Sequence, residues 1–262
     1  PNLSLPRKRE SMACCLGLNL QLRPWTPDQV RGDTESGTFR SLTNIPTSRY
    51  VKNMSSRNAS APRPSARSKL IDAAHMLVRK QGYAATSVDE ICAAAGVSKG
   101  AFFHHFASKE ELGVAAAEQW TARADEQIFT LPPWVRIEDP LECLLAHIDF
   151  RLFMLDGPAE GFTCFVGTMV QESFASSEAL RKASDASISA YCERLAVDID
   201  AAIARCGIRD GVSAISLSYH IQAVLQGAFI IAKAKNSPKE ARDSVLHLKR
   251  YIKMLFERGE TG

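Results

Sequence analysis

The sequence SVDEICAAAGVSKGAFFHHF at residues 87–106 decides the fold. Apolar residues of its first half recur at helical spacing and form a single stripe: Val88, Ile91, Cys92 and Ala95. Gly96 then suits the left-handed conformation that ends many helices, and Val97 can pack beneath the turn. Ser98 is a favourable N-cap for a second helix that ends near Phe106. The stretch is therefore predicted to form two short helices joined by a tight turn.

Two short helices with a glycine in the turn between them have the layout of a helix-turn-helix, which places its second helix in the major groove of DNA. A plain helical hairpin in an all-α protein fits the same residues. The flanking sequence favours the first interpretation, because residues 66–81 show the pattern of an amphipathic helix that ends at Gly82. Two Ser-x-x-Glu patterns, typical of helix starts, open the neighbouring helices: Ser87 with Glu90, and Ser108 with Glu111.

Residues 66–125 resemble the DNA-binding domain of the TetR family of bacterial transcriptional regulators. The matching segments follow in order: IDAA at 71–74, GY at 82–83, TSVDEI at 86–91, AGVSKGAFFHHF at 95–106 and SKEEL at 108–112. One residue departs from the family, which usually has Tyr where this chain has Phe103, a side chain with no hydroxyl for a phosphate. The resemblance implies a DNA-binding regulator that dimerises through a four-helix bundle built from its last two helices.

The charged residues are distributed unevenly along the 262 residues. Residues 1–68 contain eleven Lys and Arg against four Asp and Glu, whereas the remainder contains 21 against 25. A basic arm ahead of a mildly acidic body fits a nucleic-acid partner. Seven cysteines without a CxxC pair argue against a disulfide framework and a zinc site, and favour a reducing compartment. No apolar run approaches the roughly 18–20 residues of a membrane span. We therefore expect a cytoplasmic protein without membrane segment, metal or cofactor.

Composition and pattern divide the chain into three parts. Residues 1–65 carry scattered prolines and no sustained periodicity, which predicts a disordered basic extension. Met54 is the expected natural start, with an upstream extension of no function before it. Residues 66–126 form the predicted helix-turn-helix DNA-binding domain, and residues 127–262 form a larger helical domain for effector binding and dimerisation.

Every patterned stretch beyond residue 126 has helical periodicity, so the fold is predicted to be all-α. The predicted helices cover residues 138–155, 162–174 and 180–206, then run from Val212 to Ala234 and from Glu240 to Arg258. The last two show apolar residues on several faces, and such helices must be covered on several faces. A second copy of the chain covers them most easily, which predicts a homodimer. A monomer in which residues 212–234 form a central core helix is the alternative.

The second helix of the motif is expected to meet the bases with its N-terminal residues. Lys99 suits a guanine or a phosphate, Ala101 suits a thymine methyl group, and Gly100 permits close approach of the backbone. His104 and His105 are expected to contact a base edge or a phosphate, and two surface histidines without partners are the alternative. The predicted DNA-contacting residues are Arg67, Thr86, Ser87, Ser98, Lys99, Gly100, Ala101, Phe103, His104, His105 and Lys109.

The family resemblance also implies an effector pocket in the C-terminal part. Its candidate residues, each of which also fits a plain structural position, are His147, Arg151, Phe162, Cys164, Met169, Glu172, Tyr191 and Phe229. Cys164 opens a short apolar segment, and a thiol at a helix N-terminus is more reactive. This segment is similar to cysteine-containing segments of TetR regulators that sense electrophiles or oxidants. A small buried hydrophobe is the simpler interpretation of Cys164.

These features predict a homodimeric, ligand-responsive regulator that leaves a palindromic operator when a small molecule or an electrophile binds, and we favour a repressor. The sequence contains no catalytic constellation and no phosphate-binding glycine loop, so we do not expect an enzyme. Two alternatives remain. One is a helical ligand-binding dimer without specific DNA binding, and the other is a thiol enzyme that uses Cys164.

Overall fold

Ten α-helices, one π-helical segment and no β-strand make up the part of the chain that the computed structural model describes, residues 64–130, 136–208 and 211–257. The all-α prediction is confirmed. The predictions for residues 1–63, including the start at Met54, lie outside these ranges. All of the helices belong to a single unit that begins at Ser65.

The first four helices begin at serines, as their sequence predicts. Their bounds are α1 Ala66–Gln81, α2 Val88–Ala95, α3 Lys99–His105 and α4 Lys109–Ala124. The hydroxyl oxygen of each preceding serine accepts a hydrogen bond from the N–H three residues later: Ser65, Ser87, Ser98 and Ser108. Ser87 and Glu90 form a complete capping box, in which each side chain binds the backbone N–H of the other residue. Local hydrogen bonding therefore fixes where these helices begin.

Two glycines with positive φ end the first two helices. Gly96 ends α2 with φ 62° and ψ 39°, the left-handed conformation expected for the turn of the motif. The N–H of Val97 then donates to the carbonyl oxygen of Cys92 at 3.0 Å, which closes the turn. Gly82 ends α1 with φ 93° and ψ 162°, a region open in practice only to glycine.

A core of large side chains holds α2 and α3 at their angle. Phe102 and Phe106 are at most 2% exposed and pack with Leu70, Ile91 and Leu112. The later part of the chain completes this core through residues that are at most 1% exposed: Phe165, Met169 and Leu180. Each such side chain contributes about 1.5–3 kcal/mol through burial. The predicted boundary at residue 126 thus does not separate two independent cores.

Six helices follow α4 and its π-helical continuation Asp125–Thr130. Their bounds are α5 Pro140–Met154, α6 Ala159–Phe162, α7 Phe165–Ser173, α8 Glu178–Cys206, α9 Ala214–Lys235 and α10 Lys239–Glu257. The single helix predicted for residues 162–174 is wrong, because Thr163 adopts an extended conformation, with φ −75° and ψ 159°, between α6 and α7. Cys164 then forms the N-cap of α7.

The second core surrounds the C-terminal half of α8. Helices α5 and α9 pack on α8, and α10 packs on both α5 and α9. The residues at its centre are fully buried and apolar: Ile148, Cys192, Leu195, Ile199, Ile221, Leu225, Val245 and Ile252. This arrangement leaves one side of α9 and α10 facing away from the other described helices.

The last two helices differ in pattern, which corrects the expectation that both are apolar on several faces. The buried residues of α10 form one stripe: Ala241, Val245, Leu248, Ile252 and Phe256. Helix α9 is apolar more widely, and by length and composition alone it is suited to cross a membrane, contrary to the sequence expectation. Core helices of soluble proteins meet the same criterion. One third of its most apolar 18-residue window is buried in the single chain.

Candidate nucleic-acid interface

Helix α3 presents its N-terminal residues to solvent while its other face is anchored. Phe102 and Phe106 point into the core, whereas Lys99 and Gly100 are exposed and Ala101 is partly exposed. An added Cβ on Gly100 would meet only the Ser98 Oγ, at 4.0 Å, so no contact within the described chain requires glycine there. The N-terminal residues of α3 are thus accessible from solvent, and the core holds the opposite face of the helix.

An exposed ion pair, which the sequence analysis missed, joins the two helices of the motif. The Lys99 Nζ lies 2.8 Å from the Asp89 Oδ1, with side chains 58% and 70% exposed. The hydrogen bond to Asp89, followed by its negative charge, raises the pKa of Lys99. Asp89 therefore restricts the orientation of an ammonium group that would otherwise sample many rotamers.

The remaining outward residues of α3 are aromatic. Phe103 is 52% exposed, and its ring meets Phe102 edge-on at 5.1 Å between centroids. The rings of His104 and His105 lie 5.0 Å apart, with His104 exposed and His105 partly exposed. Arg67 of α1 is exposed and lies 5.3 Å from the centre of the Phe106 ring. The four predicted contact residues among them are at least partly exposed, and their contact with DNA remains a prediction.

Two of the residues expected to contact phosphate have structural roles instead. Thr86 is fully buried, and its hydroxyl donates to the carbonyl oxygen of Gly82 at 2.6 Å. The Lys109 ammonium donates to the carbonyl oxygens of Tyr83 and Thr86, at 3.1 and 3.0 Å, and lies 4.4 Å from the centre of the Tyr83 ring. Burial lowers the pKa of Lys109. The expected contacts of Thr86 and Lys109 with phosphate remain predictions for residues whose side chains also hold the loop before α2.

Ser87 and Ser98 are exposed, but their hydroxyl oxygens already serve the helix starts. Each accepts a hydrogen bond at 3.2 Å, Ser87 from the N–H of Glu90 and Ser98 from the N–H of Ala101. The Ser87 hydroxyl also donates to the Glu90 carboxylate at 2.8 Å. A contact of either residue with DNA therefore remains a prediction. In such a contact the same hydroxyl would both cap a helix and bind DNA.

A buried polar network, also unpredicted, fixes α1 against α4. The His75 Nε2 donates to the carbonyl oxygen of Ala116 at 2.8 Å, and its Nδ1 accepts from the Arg123 guanidinium at 3.2 Å. Arg123 also pairs with Asp72. Burial lowers the pKa of His75 to about 3, and the nearby arginine charges act in the same direction. His75 is thus a neutral imidazole with both nitrogens satisfied.

Three of the predicted effector residues form a cluster in the C-terminal part, in which His147 and Tyr191 are buried and Arg151 is partly buried. The His147 Nε2 and the Tyr191 hydroxyl are 2.8 Å apart, and the Arg151 guanidinium carbon lies 5.8 Å from the centre of the Tyr191 ring. Phe129, which the sequence analysis missed, stacks on His147 with centroids 5.4 Å apart. Burial, followed by the charges of Arg151 and Arg194, lowers the pKa of His147 to about 3, and burial raises the pKa of Tyr191 to about 12.

Phe162, Phe229 and Cys164 lie in the region where the two cores meet. The rings of Phe162 and Phe229 are 6.3 Å apart, and both are buried. Cys164 is partly exposed, packs against both hydrophobic cores, and its Sγ accepts from the Gly167 N–H at 3.4 Å. This position lies between the effector candidates and the helix-turn-helix.

Met169 and Glu172 are not brought together with the other effector candidates. Met169 is fully buried in the core beneath the helix-turn-helix. The Glu172 carboxylate accepts the Ala84 N–H at 2.7 Å, in the loop that leads from α1 to α2. Both residues connect α7 to the helix-turn-helix, and effector binding by either of them remains a prediction.

Two family profiles match the chain, one over each part. Residues 70–116 match the family described as bacterial regulatory proteins, tetR family. Residues 140–248 match the family described as tetracyclin repressor-like, C-terminal domain. Together the two matches cover more than half of the 262 residues.

Curated relatives are similar over shorter stretches. The chain is 37% identical to the transposon Tn10 TetC protein of Escherichia coli over 78 residues, which cover 30% of the chain and 40% of that protein. It is also 37% identical to the transcriptional regulator AcuR of Cereibacter sphaeroides over 103 residues, or 37% of the chain and 47% of AcuR. The chain thus spans less than half the length of these curated relatives.

Solved structures cover the fold more completely. The regulatory protein TetR from Rhodobacter sphaeroides superposes with a TM-score of 0.62 at 26% identity, over 71% of this chain and 97% of that one. The reduced form of Escherichia coli NemR superposes with a TM-score of 0.59 at 21% identity, over 71% of this chain and 95% of that one, and shows the fold alone. By its two family matches and by this fold, the chain belongs to the TetR family of bacterial transcriptional regulators.

Proposed function

We propose that the chain acts as a homodimeric repressor that binds a palindromic operator and leaves it when a small-molecule or electrophile effector binds. The observation that carries this proposal is α3, whose N-terminal residues are exposed above a fully buried anchor of Phe102 and Phe106. In a two-fold dimer, two such helices enter successive major grooves about one helical turn apart. The protein is proposed to act in the cytoplasm, where its operator DNA lies.

The residues along α3 suit different groups of the DNA. Lys99 donates to guanine O6 and N7 or to a phosphate, and Ala101 meets a thymine methyl group. Gly100 allows the duplex to approach the backbone closely. Phe103 offers an apolar face and no hydrogen bond, so contacts to the DNA backbone rest more heavily on His104, His105 and Arg67.

Replacing Lys99 with Ala is expected to weaken operator binding by about 1–3 kcal/mol, because one charge-assisted contact to a base edge is lost. Asp89→Asn should instead strengthen binding to random DNA, since it removes a carboxylate that holds Lys99 and repels phosphates. Fluorescence anisotropy with the DNA upstream of the gene and with random DNA, at fixed salt, measures both effects.

Lys239→Ala is the matched control for Lys99, because Lys239 is also an exposed lysine paired with an aspartate, Asp243, on the distant helix α10. This variant should bind the upstream DNA like the unaltered chain. Equal affinities of the Lys99→Ala variant and the unaltered chain would contradict the assignment of α3 as the recognition helix.

The dimer interface is proposed on the outward side of α9 and α10. Large apolar side chains, 41–57% exposed in the single chain, follow one another along these two helices: Ile215, Tyr219, Ile230, Ile231, Tyr251 and Met254. The rings of His220 and Tyr251, 5.4 Å apart, connect the two helices on this side. Apolar residues in such a continuous surface favour burial against a second copy.

Placing a carboxylate in this surface is expected to separate the dimer. The Ile230→Glu variant brings two like charges into one two-fold interface, and we expect the dimer dissociation constant to rise by roughly thirtyfold or more. Light scattering during size-exclusion chromatography gives the mass at each concentration. Val197→Glu is the matched control, since Val197 is 61% exposed on α8, apart from the proposed surface. A dimer that tolerates Ile230→Glu as well as Val197→Glu would refute this interface.

Contacts of α6 and α7 with the helix-turn-helix supply a route from effector to DNA. Arg79 at the end of α1 donates to the carbonyl oxygen of Gly161 at 3.3 Å, and Glu172 accepts the N–H of Ala84. An effector that displaces α6 therefore shifts the end of α1. An effector that displaces α7 shifts the loop between α1 and α2. Release of DNA requires the effector to bind the shifted state more tightly. The position of Cys164 between Thr163 and α7 supports an electrophile as one such effector.

A further inference from the structure

We propose that the effector is a small anion, such as a monocarboxylate, and that Arg151 on α5 binds its charge beside Tyr191. This inference rests on the proposed function, in which an effector binds the C-terminal part of the chain, and it specifies the chemical class of that effector. The main observation behind this proposal is that the Arg151 guanidinium is partly buried and that no carboxylate among the described residues pairs with it.

The surroundings of Arg151 do not satisfy its hydrogen-bonding groups. Among the described residues its Nε is buried without an acceptor, and its Nη1 donates to the thioether sulfur of Met154, at 3.9 Å. The face of the guanidinium lies over Tyr191, with 5.8 Å between its carbon and the ring centre. Within the described ranges no Asp or Glu oxygen lies within 4.0 Å of it. A thioether is a weak acceptor, so Met154 compensates little of this charge.

The neighbouring charged groups are already paired, which isolates Arg151 further. The Asp149 carboxylate, two residues earlier on α5, accepts from the Lys249 ammonium at 2.6 and 2.8 Å. Arg194, the other cation near His147, lies 3.5 Å from the Asp198 carboxylate. Arg242 donates to the carbonyl oxygens at the end of α5. An incoming anion therefore finds one unsatisfied cation in this cluster, and a guanidinium binds a carboxylate through two parallel hydrogen bonds.

The sign of the ligand follows from the same cluster. The positive charges of Arg151 and Arg194 add to burial in keeping His147 neutral, with its pKa lowered to about 3. Such a field favours an anion and repels an ammonium group. Phe129, stacked on His147, and the ring of Tyr191 are buried aromatic members of the same cluster. An anion that also carries an apolar group is therefore the favoured ligand class.

The test compares ligands that share a shape and differ in charge. Butyrate and benzoate are added to the full-length dimer, alongside butyramide and benzamide and the amines butylamine and benzylamine, at constant ionic strength. Calorimetric titration and thermal unfolding report binding. We expect at least one carboxylate to bind and to raise the unfolding temperature, and its amide and amine to bind at least tenfold more weakly.

Arg151→Met should abolish the carboxylate response, because Met has similar length and no charge. Arg151→Lys should leave a weakened response, since Lys keeps the charge and loses the planar fork. Arg205→Met, at an exposed arginine 3.8 Å from Asp139, controls for non-specific anion binding and should respond normally. Thermal unfolding without ligand shows whether each variant folds.

Two sets of outcomes overturn the proposal. One is the absence of binding by both carboxylates, and the other is a response that the amides share or that survives in Arg151→Met. Operator binding is measured in the same buffers. Loss of carboxylate binding with intact operator binding would refute the anion site alone, whereas a failure of sequence-selective DNA binding would refute the proposed function.

Discussion

Lowering the pH from about 7.5 to about 5 is expected to reduce the free energy of unfolding by about 4 kcal/mol, about 2 kcal/mol for each of two buried histidines. Both side chains are at most 2% exposed: His75 between α1 and α4, and His147 on α5. Burial, the largest cause in each case, lowers the pKa of both to about 3, whereas a histidine in the unfolded chain titrates near 6.5.

The direction of this effect follows from where the protons bind. Below about pH 6.5 the unfolded chain takes up a proton at each histidine and the folded chain does not, so protons stabilise the unfolded state. The full stability is present above about pH 6.5 and decreases steadily until the folded histidines protonate near pH 3. Protonation of His75 would also direct a new N–H at the Arg123 guanidinium, which now donates to that nitrogen.

Urea unfolding at a fixed protein concentration, repeated between about pH 7.5 and about pH 5, measures the slope. His75→Gln and His147→Gln should each remove about half of the pH dependence, even where they lower stability at neutral pH. His104→Gln, on the exposed face of α3, is the matched comparison for replacing a histidine outside the two buried sites. A free energy of unfolding that stays constant across this range would contradict the buried neutral state of both histidines.

Gly82→Ala is expected to destabilise the fold by about 2–4 kcal/mol, through backbone strain and a lost hydrogen bond. Gly82 has φ 93° and ψ 162°, where a side chain is strained. A Cβ would also overlap the Glu172 Oε1. The carboxylate would have to move away, and the hydrogen bond from the Ala84 N–H would be lost.

Gly96→Ala provides a matched comparison at the second glycine of the motif. Gly96 has φ 62°, and an added Cβ would meet no atom within 4 Å, so only the left-handed backbone opposes the change. We expect a cost of about 1–2 kcal/mol. Urea unfolding of both variants gives the difference. Equal costs at the two glycines would show that the contact between Glu172 and the loop contributes little.

Local signals in the sequence predicted the first four helices well. Serine caps, the Ser-x-x-Glu pattern at Ser87 and the glycine at the turn act over three or four residues, so they are readable without a structure. The break between α6 and α7 was missed because it depends on an extended Thr163, and neither glycine nor proline marks it.

Contacts between residues distant in sequence explain most of the structural roles that the sequence did not predict. Lys109 was expected at a phosphate because it follows a helix start, but its ammonium binds carbonyl oxygens more than twenty residues earlier. Glu172 was placed among effector residues, yet its partner is Ala84. The network through His75 and Arg123 likewise joins two helices and leaves no periodic trace in the sequence.

Sequencing of genomic fragments captured by the purified dimer tests the assignment as a DNA-binding regulator most directly. The protein is incubated with sheared genomic DNA at physiological salt, and the Lys99→Ala variant is treated in parallel. We predict enrichment of one or a few sites, each an inverted repeat with half-sites about one helical turn apart or slightly more, and loss of that enrichment in the variant. Uniform recovery of fragments, or the same sites with Lys99→Ala, would contradict it.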